Sequence, residues 1–233
     1  MKKSLLNTPH GPQTIMSDLI SDHYDLLLVI MRFGIPLGFG EKTVAQVCSE
    51  RGVDCNTLLT VLNALSTECP TPGEEVWEAI SPSTVVDYLQ RSHHYFIDYK
   101  LPSLREQLAL AIAGGPEHLS KLIFKFYDEY VSEVHKHMGY EDKTVFPYVR
   151  ALINNQETKE YRIQIFSRRH DKIESKITEL KNILIKYYPD GTGYALTSVL
   201  HNIFATEADL ASHNLIEDNL LVPLIEHLET KKR

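Results

Sequence analysis

Four histidines and two glutamates fall where helices of a bundle would bury their cores. The buried stripe of such a helix recurs in alternate steps of three and four residues. A first helix gives His94, Ile97, Leu101, Leu104, Leu108 and Ile112. A second gives Ile123, Tyr127, Tyr130, Val134, His137, Glu141, Val145, Tyr148 and Leu152. A third carries His170 among Ile163, Phe166, Ile173, Ile177, Leu180 and Leu184. A fourth carries Thr206, His213 and Glu217 among Leu196, Val199, Ile203, Leu210, Leu220 and Leu224. Burying one ionised carboxylate without a partner is costly, and charged residues are almost never fully buried alone. A single seam histidine is most simply a core residue hydrogen-bonded to a neighbour. Histidines on all four stripes, with two glutamates, call for another explanation, and metal coordination satisfies all six groups at once.

The donor set limits the metal. Imidazole suits iron, zinc, copper or nickel, whereas carboxylate favours harder ions. Two H-x-x-x-E pairs, His137 with Glu141 and His213 with Glu217, each put both donors on one helix face. Glutamates from different helices can bridge two ions, each ion also taking two imidazoles. A shared oxo or hydroxo group would complete five donors and leave one position for a small ligand. Six protein donors are too many for one tetrahedral zinc.

The elements that must position these groups are long. Ser81 can cap a helix with Pro82 in its first turn, and that helix runs to Gly114-Gly115-Pro116 with a kink expected at Pro102. The next runs to Ile153, a third from Thr158 to Tyr188, and a fourth from Thr192 to Glu229. Short connections make them antiparallel neighbours, so the expected fold is an all-α four-helix bundle. His94, Glu141, His170 and Glu217 each lie about twelve residues, or ~18 Å at ~1.5 Å per residue, from one end of that bundle. His118 is ~28 Å from His137 by the same rise and drops out. His93 and His135 point off the seam, and His10, His23, His201 and His227 belong elsewhere. Asp98, Glu133, Glu174 and Asp209 flank the site one position off the stripe and are expected to act around it, not on the metal.

The remainder of the chain divides around this bundle. Residues 1–67 read as a small helical N-terminal domain, 68–80 as a linker rich in proline, and 81–233 as the bundle. The helix–glycine–helix pattern near Gly52 suggests a DNA-reading turn, but residues 54–67 contain no Lys or Arg. A net charge of −7 and a pI near 5.9 further exclude a general nucleic-acid or acidic-membrane binder. No stretch approaches the ~20 apolar residues of a membrane span, and the start lacks a signal-peptide core. A cytoplasmic protein is expected. Cys48, Cys55 and Cys69 have no C-x-x-C spacing and suit reduced thiols.

The motifs also carry a resemblance. HMGYEDKTVFP and HNLIEDNLLVP repeat H-x-x-x-E, an apolar stretch and proline, with HHYFIDYKLPSL before them and RRHDKI between. In this the segment 81–229 resembles the hemerythrin-like HHE domain, closest to the di-iron proteins for repair of iron centres, the ScdA/YtfE type. The resemblance implies His94, His137, Glu141, His170, His213 and Glu217 as ligands of two iron ions. It implies a stress protein that restores iron–sulfur or other iron centres damaged by nitric oxide or oxidants, with a damaged iron–sulfur protein as partner. Two other readings stay open: a sensor binding dioxygen or nitric oxide, and a di-iron nitric oxide or peroxide reductase. Oxygen-carrying hemerythrins have a second histidine where this chain has Glu174, and H-x-x-x-x-D where it has H-x-x-x-E. Both departures point away from oxygen transport. At the N-terminus, RFGIPLGFGEKTVAQVC has the turn of the repair proteins' small domain, but Pro36-Leu37-Gly38-Phe39-Gly40 replaces its cysteine pair.

Overall fold

The computed structural model describes residues 10–66, 74–156, 161–165, 171–189 and 194–231. Among these the protein is all-α, with one isolated bridge between Ile15 and Thr43. Compactness divides it into two units. One comprises Met1–Ser92, Tyr148–Gln164 and Leu215–Arg233; the other comprises His93–Pro147 and Ile165–Asn214.

The first unit contains short helices with clear local causes. These are α1 (Met16–Asp22), α2 (Leu27–Arg32), α3 (Val44–Arg51), α4 (Cys55–Ser66) and most of α5 (Pro82–His94). Thr43 and Gln46 form a reciprocal capping box at the start of α3, satisfying two backbone N–H groups. Gly52, at φ 65°, ends α3 in the left-handed region that glycine adopts without steric cost. The N-terminal helices then pack on α5. Phe33 stacks on Tyr88 at 5.0 Å, and the Ser81 N–H donates to Thr57 Oγ1 at 2.8 Å. Residues 68–73 of the expected linker lie outside the described residues. Residues 74–79 form a 3-10 turn, and this stretch buries Trp77 and Ile80.

The second unit holds the centre of the bundle: α6 (Leu101–Ala111), α7 (Glu117–Tyr140), α9 (Asp171–Lys186) and most of α10 (Tyr194–Ile216). Its dry interior joins Leu104 and Leu108 to Tyr127, Tyr130, Ile177, Leu180 and Ile203. Register pairs fix the direction. Gln107 meets Asn202 and Phe96 meets His213, so one rod descends as the other rises. The remaining segments, α8 (Phe146–Ile153) and α11 (Val222–Lys231), continue the second and fourth rods.

Among the described residues, three of the rods are interrupted by π turns, at Tyr95–Lys100, Glu141–Val145 and Glu217–Leu221. In each the closing bond spans five residues: Leu101 donates to Phe96, Phe146 to Glu141, and Val222 to Glu217. A proline follows at the second position of the next helix, as Pro102, Pro147 and Pro223. A proline has no N–H to donate four residues back, and its ring crowds that carbonyl. The wider π turn relieves the clash by inserting one residue, and this also shifts the phase of every side chain beyond it. The expected kink at Pro102 is therefore a change of helical register.

Candidate metal centre

The π turns decide which side chains face inward. On the first rod the buried residues are His93, Phe96 and Leu101, so one interval is five residues instead of four. Counting back from Leu101 in steps of four and three reaches Ile97 and His94. In the structure His94 is exposed, and the adjacent His93 has no accessible surface. On the second and fourth rods the histidine precedes the π turn and the glutamate opens it, on the same side as the apolar stripe used to count to them. There His137, Glu141, His213 and Glu217 are all buried. His170 lies outside the described residues.

His93, Glu141, His213 and Glu217 each bring one donor atom within 4.8 Å of the others. Glu217 follows His213 by one turn on the same rod and opens its π turn. The Glu141 carboxylate faces two imidazoles. Its Oε2 lies 2.9 Å from His93 Nε2, and its Oε1 lies 2.9 Å from His137 Nε2. Metal–nitrogen and metal–oxygen bonds of about 2.1 Å at right angles put adjacent donor atoms about 3.0 Å apart. Both separations match the edge of such a coordination sphere. Phe146 stacks on His93 at 5.2 Å, and Phe96 meets His213 edge-on at 6.3 Å, walling the donors with apolar rings.

The other nitrogen of His93 shows why a cation fits. His93 Nδ1 lies 3.0 Å from Asp142 Oδ1. An ionised carboxylate only accepts, so Nδ1 carries the proton and donates it to Asp142. The Nε2 lone pair of a neutral ring would then face the Glu141 carboxylate across 2.9 Å. Two lone pairs at that distance repel unless a positive centre lies with them: a second ring proton, or a metal ion bound by both. Buried Glu229 belongs to a different polar cluster. Its Oε1 accepts from the Tyr148 hydroxyl at 2.5 Å and the Ile163 N–H at 3.1 Å, so protein donors serve it. Burial, then the bond to Glu229, pushes the Tyr148 phenol up to about 12.

Asp142 is an outer carboxylate that touches a site imidazole, and it is not among those expected to flank the site. Of those, Asp98 and Glu174 are exposed, and Glu133 pairs with Lys136 at 2.7 Å. His118, His135 and His201 are exposed, away from any buried donor set. A carboxylate behind a metal-binding histidine fixes its tautomer, and losing it commonly costs ~10–100-fold in metal affinity. Asp142→Ala is expected to weaken metal retention against a chelator by about that factor, whereas Asp98→Ala leaves it unchanged. Equal retention in both variants would show that Asp142 does not orient His93.

A family model described as the hemerythrin HHE cation-binding domain matches residues 84–225, more than half of the chain. The chain belongs to the hemerythrin HHE cation-binding family. The comparison with curated proteins gives no match. The HHE segment contains the whole buried His–Glu cluster and all three π turns, and the protein is a hemerythrin-like helical bundle that binds metal cations. Helices α1 to α4 precede the matched segment. Among the described residues no helix is long and apolar enough to cross a membrane.

Proposed function

We propose that the HHE domain holds two iron ions bridged by Glu141 and that the protein restores iron–sulfur or other iron centres damaged by nitric oxide or oxidants. One observation carries the dinuclear reading: the two oxygens of Glu141 each form a 2.9 Å edge with a different imidazole. A carboxylate used in that way would serve two coordination spheres. His93, His213, Glu141 and Glu217 would hold one ion. His137 and Glu141 would hold the other, with His170 and the second oxygen of Glu217 as its remaining donors.

Bound there, the iron pair supplies one-electron redox chemistry and a position for a small diatomic molecule such as dioxygen or nitric oxide. The chain's own groups set the conditions. Asp142 keeps the proton on His93 Nδ1, leaving Nε2 to face the site. Phe96 and Phe146 limit water around His93 and His213. Tyr130, two turns before His137 on the same rod, remains a neutral phenol, because burial first and the Glu207 and Asp209 carboxylates next raise its pKa.

The repair reading draws on the resemblance to the repair-type di-iron proteins and on the departures from oxygen carriers. Glu174, at the carriers' extra histidine, is exposed and contributes no imidazole. The test is reactivation of a [4Fe–4S] hydratase inactivated by nitric oxide. Iron-loaded wild-type protein is expected to restore its activity, and Glu141→Gln protein is not. Turnover of nitric oxide or peroxide without reactivation would make the protein a reductase. Tight binding of dioxygen or nitric oxide with neither activity would make it a sensor.

A further inference from the structure

The first unit brings together two thiols that are not among the metal donors. Cys48 lies in α3, and Cys55 opens α4 seven residues later. The backbone between them turns back sharply. The N–H groups of Gly52 and Val53 both donate to the Cys48 carbonyl, the latter at 3.0 Å, with Gly52 at φ 65°. That double closure ends a helix within one turn. Asp54 then starts α4: its Oδ1 accepts from the Thr57 N–H at 2.7 Å and the Thr57 hydroxyl at 2.6 Å. The turn is pinned at both ends, and the Cys48 and Cys55 side chains meet in a hydrogen bond.

The surroundings of the two sulfurs differ. Cys48 is 2% exposed, whereas Cys55 is half-buried. Burial first, and the neighbouring Cys55 thiol next, push Cys48 up to about 12, so Cys48 keeps its proton. A buried cysteine by itself is inert. A buried thiol touching a more accessible one has a further use, because it can condense with the oxidised form of its neighbour.

We propose that Cys48 and Cys55 are a redox-modification site, in which hydrogen peroxide oxidises Cys55 and Cys48 resolves the product to an intramolecular disulfide. In the first step the Cys55 sulfur attacks one peroxide oxygen and the O–O bond breaks. Cys55 sulfenic acid and one water result. In the second step the Cys48 sulfur displaces the sulfenic hydroxyl, which leaves with the Cys48 proton as a second water. The two sulfurs together lose two electrons, and the peroxide takes them. Sulfurs already in contact close to the ~2.05 Å of a disulfide bond. The loop between them is short, so closing it costs little entropy and pairing within the chain outruns pairing between chains. A small thiol such as glutathione reverses the bond by exchange. The site is independent of the repair reading, since no metal enters either step.

Peptide mapping of the iron-loaded full chain tests this. Cys69→Ser protein retains only this pair of cysteines. It is treated with hydrogen peroxide until peroxide persists, its free thiols are alkylated, and its digest is read by mass spectrometry. Both thiols should be lost, and a peptide linking Cys48 to Cys55, two hydrogens lighter than the reduced pair, should appear and vanish with dithiothreitol. Two further variants in the same background, checked by helical circular dichroism, separate the roles. In Cys48→Ser, Cys55 should accumulate as a sulfenic acid that dimedone traps. In Cys55→Ser, Cys48 should remain a thiol. Two free thiols after treatment, conversion of Cys55 to sulfinic acid while Cys48 is present, or direct oxidation of Cys48 in Cys55→Ser would each overturn the proposal.

Discussion

Glu141→Ala is expected to empty the metal site. The carboxylate is buried and reaches imidazoles from two rods, His93 through Oε2 and His137 through Oε1. If Glu141 bridges two ions as proposed, removing it would take a donor from both together, so the loss should exceed the ~10–100-fold that an outer partner such as Asp142 controls. It also leaves His93 and His137 buried without their shared anion. Glu141→Gln separates these effects. The amide keeps the volume and one acceptor, so the bundle should remain folded while iron retention still collapses. Iron content after purification and a thermal melt measure the two consequences. Full iron in Glu141→Gln would mean that the carboxylate is structural.

The second large effect distinguishes adjacent residues. His93→Ala should lose most bound iron, and His94→Ala should match the wild type. His93 is inaccessible, stacked on Phe146, and held between Asp142 and Glu141. His94 is exposed on the same helix. Substitutions at such exposed sites usually change stability by less than about 0.5 kcal/mol. Iron content and the oxidised absorption spectrum of the two variants measure the contrast. Iron loss in His94→Ala with retention in His93→Ala would put the helical phase of α5 one residue away from the structure described above.

That contrast also shows what the sequence could reveal. The bundle was legible because four apolar stripes keep helical spacing through long segments bounded by glycine and proline. Glu141, His213 and Glu217 were legible because they lie on the same side of their π turns as the stripes that lead to them. His93 was hidden because the apolar count along its rod crosses the π turn at Tyr95–Lys100, where one added residue turns the helix by about 100°. The signal was present all the same. Pro102, Pro147 and Pro223 each follow a π turn at the same offset, and the E-x-x-x-x-x-P spacing occurs twice. Asp142 was hidden because it adjoins a ligand in sequence and reaches a histidine 49 residues away. Periodicity orders residues within a rod and does not pair residues between rods.

The most direct test of the central claim is the number of irons per chain. Protein produced with iron should carry about two, because a carboxylate shared between two imidazole-bearing positions holds two ions ~3.5–4 Å apart. Mössbauer spectra of the oxidised form should show a coupled ferric pair. One ion per chain, with a spectrum of isolated iron or with a single tightly held zinc in its place, would contradict the account of Glu141 as a bridge.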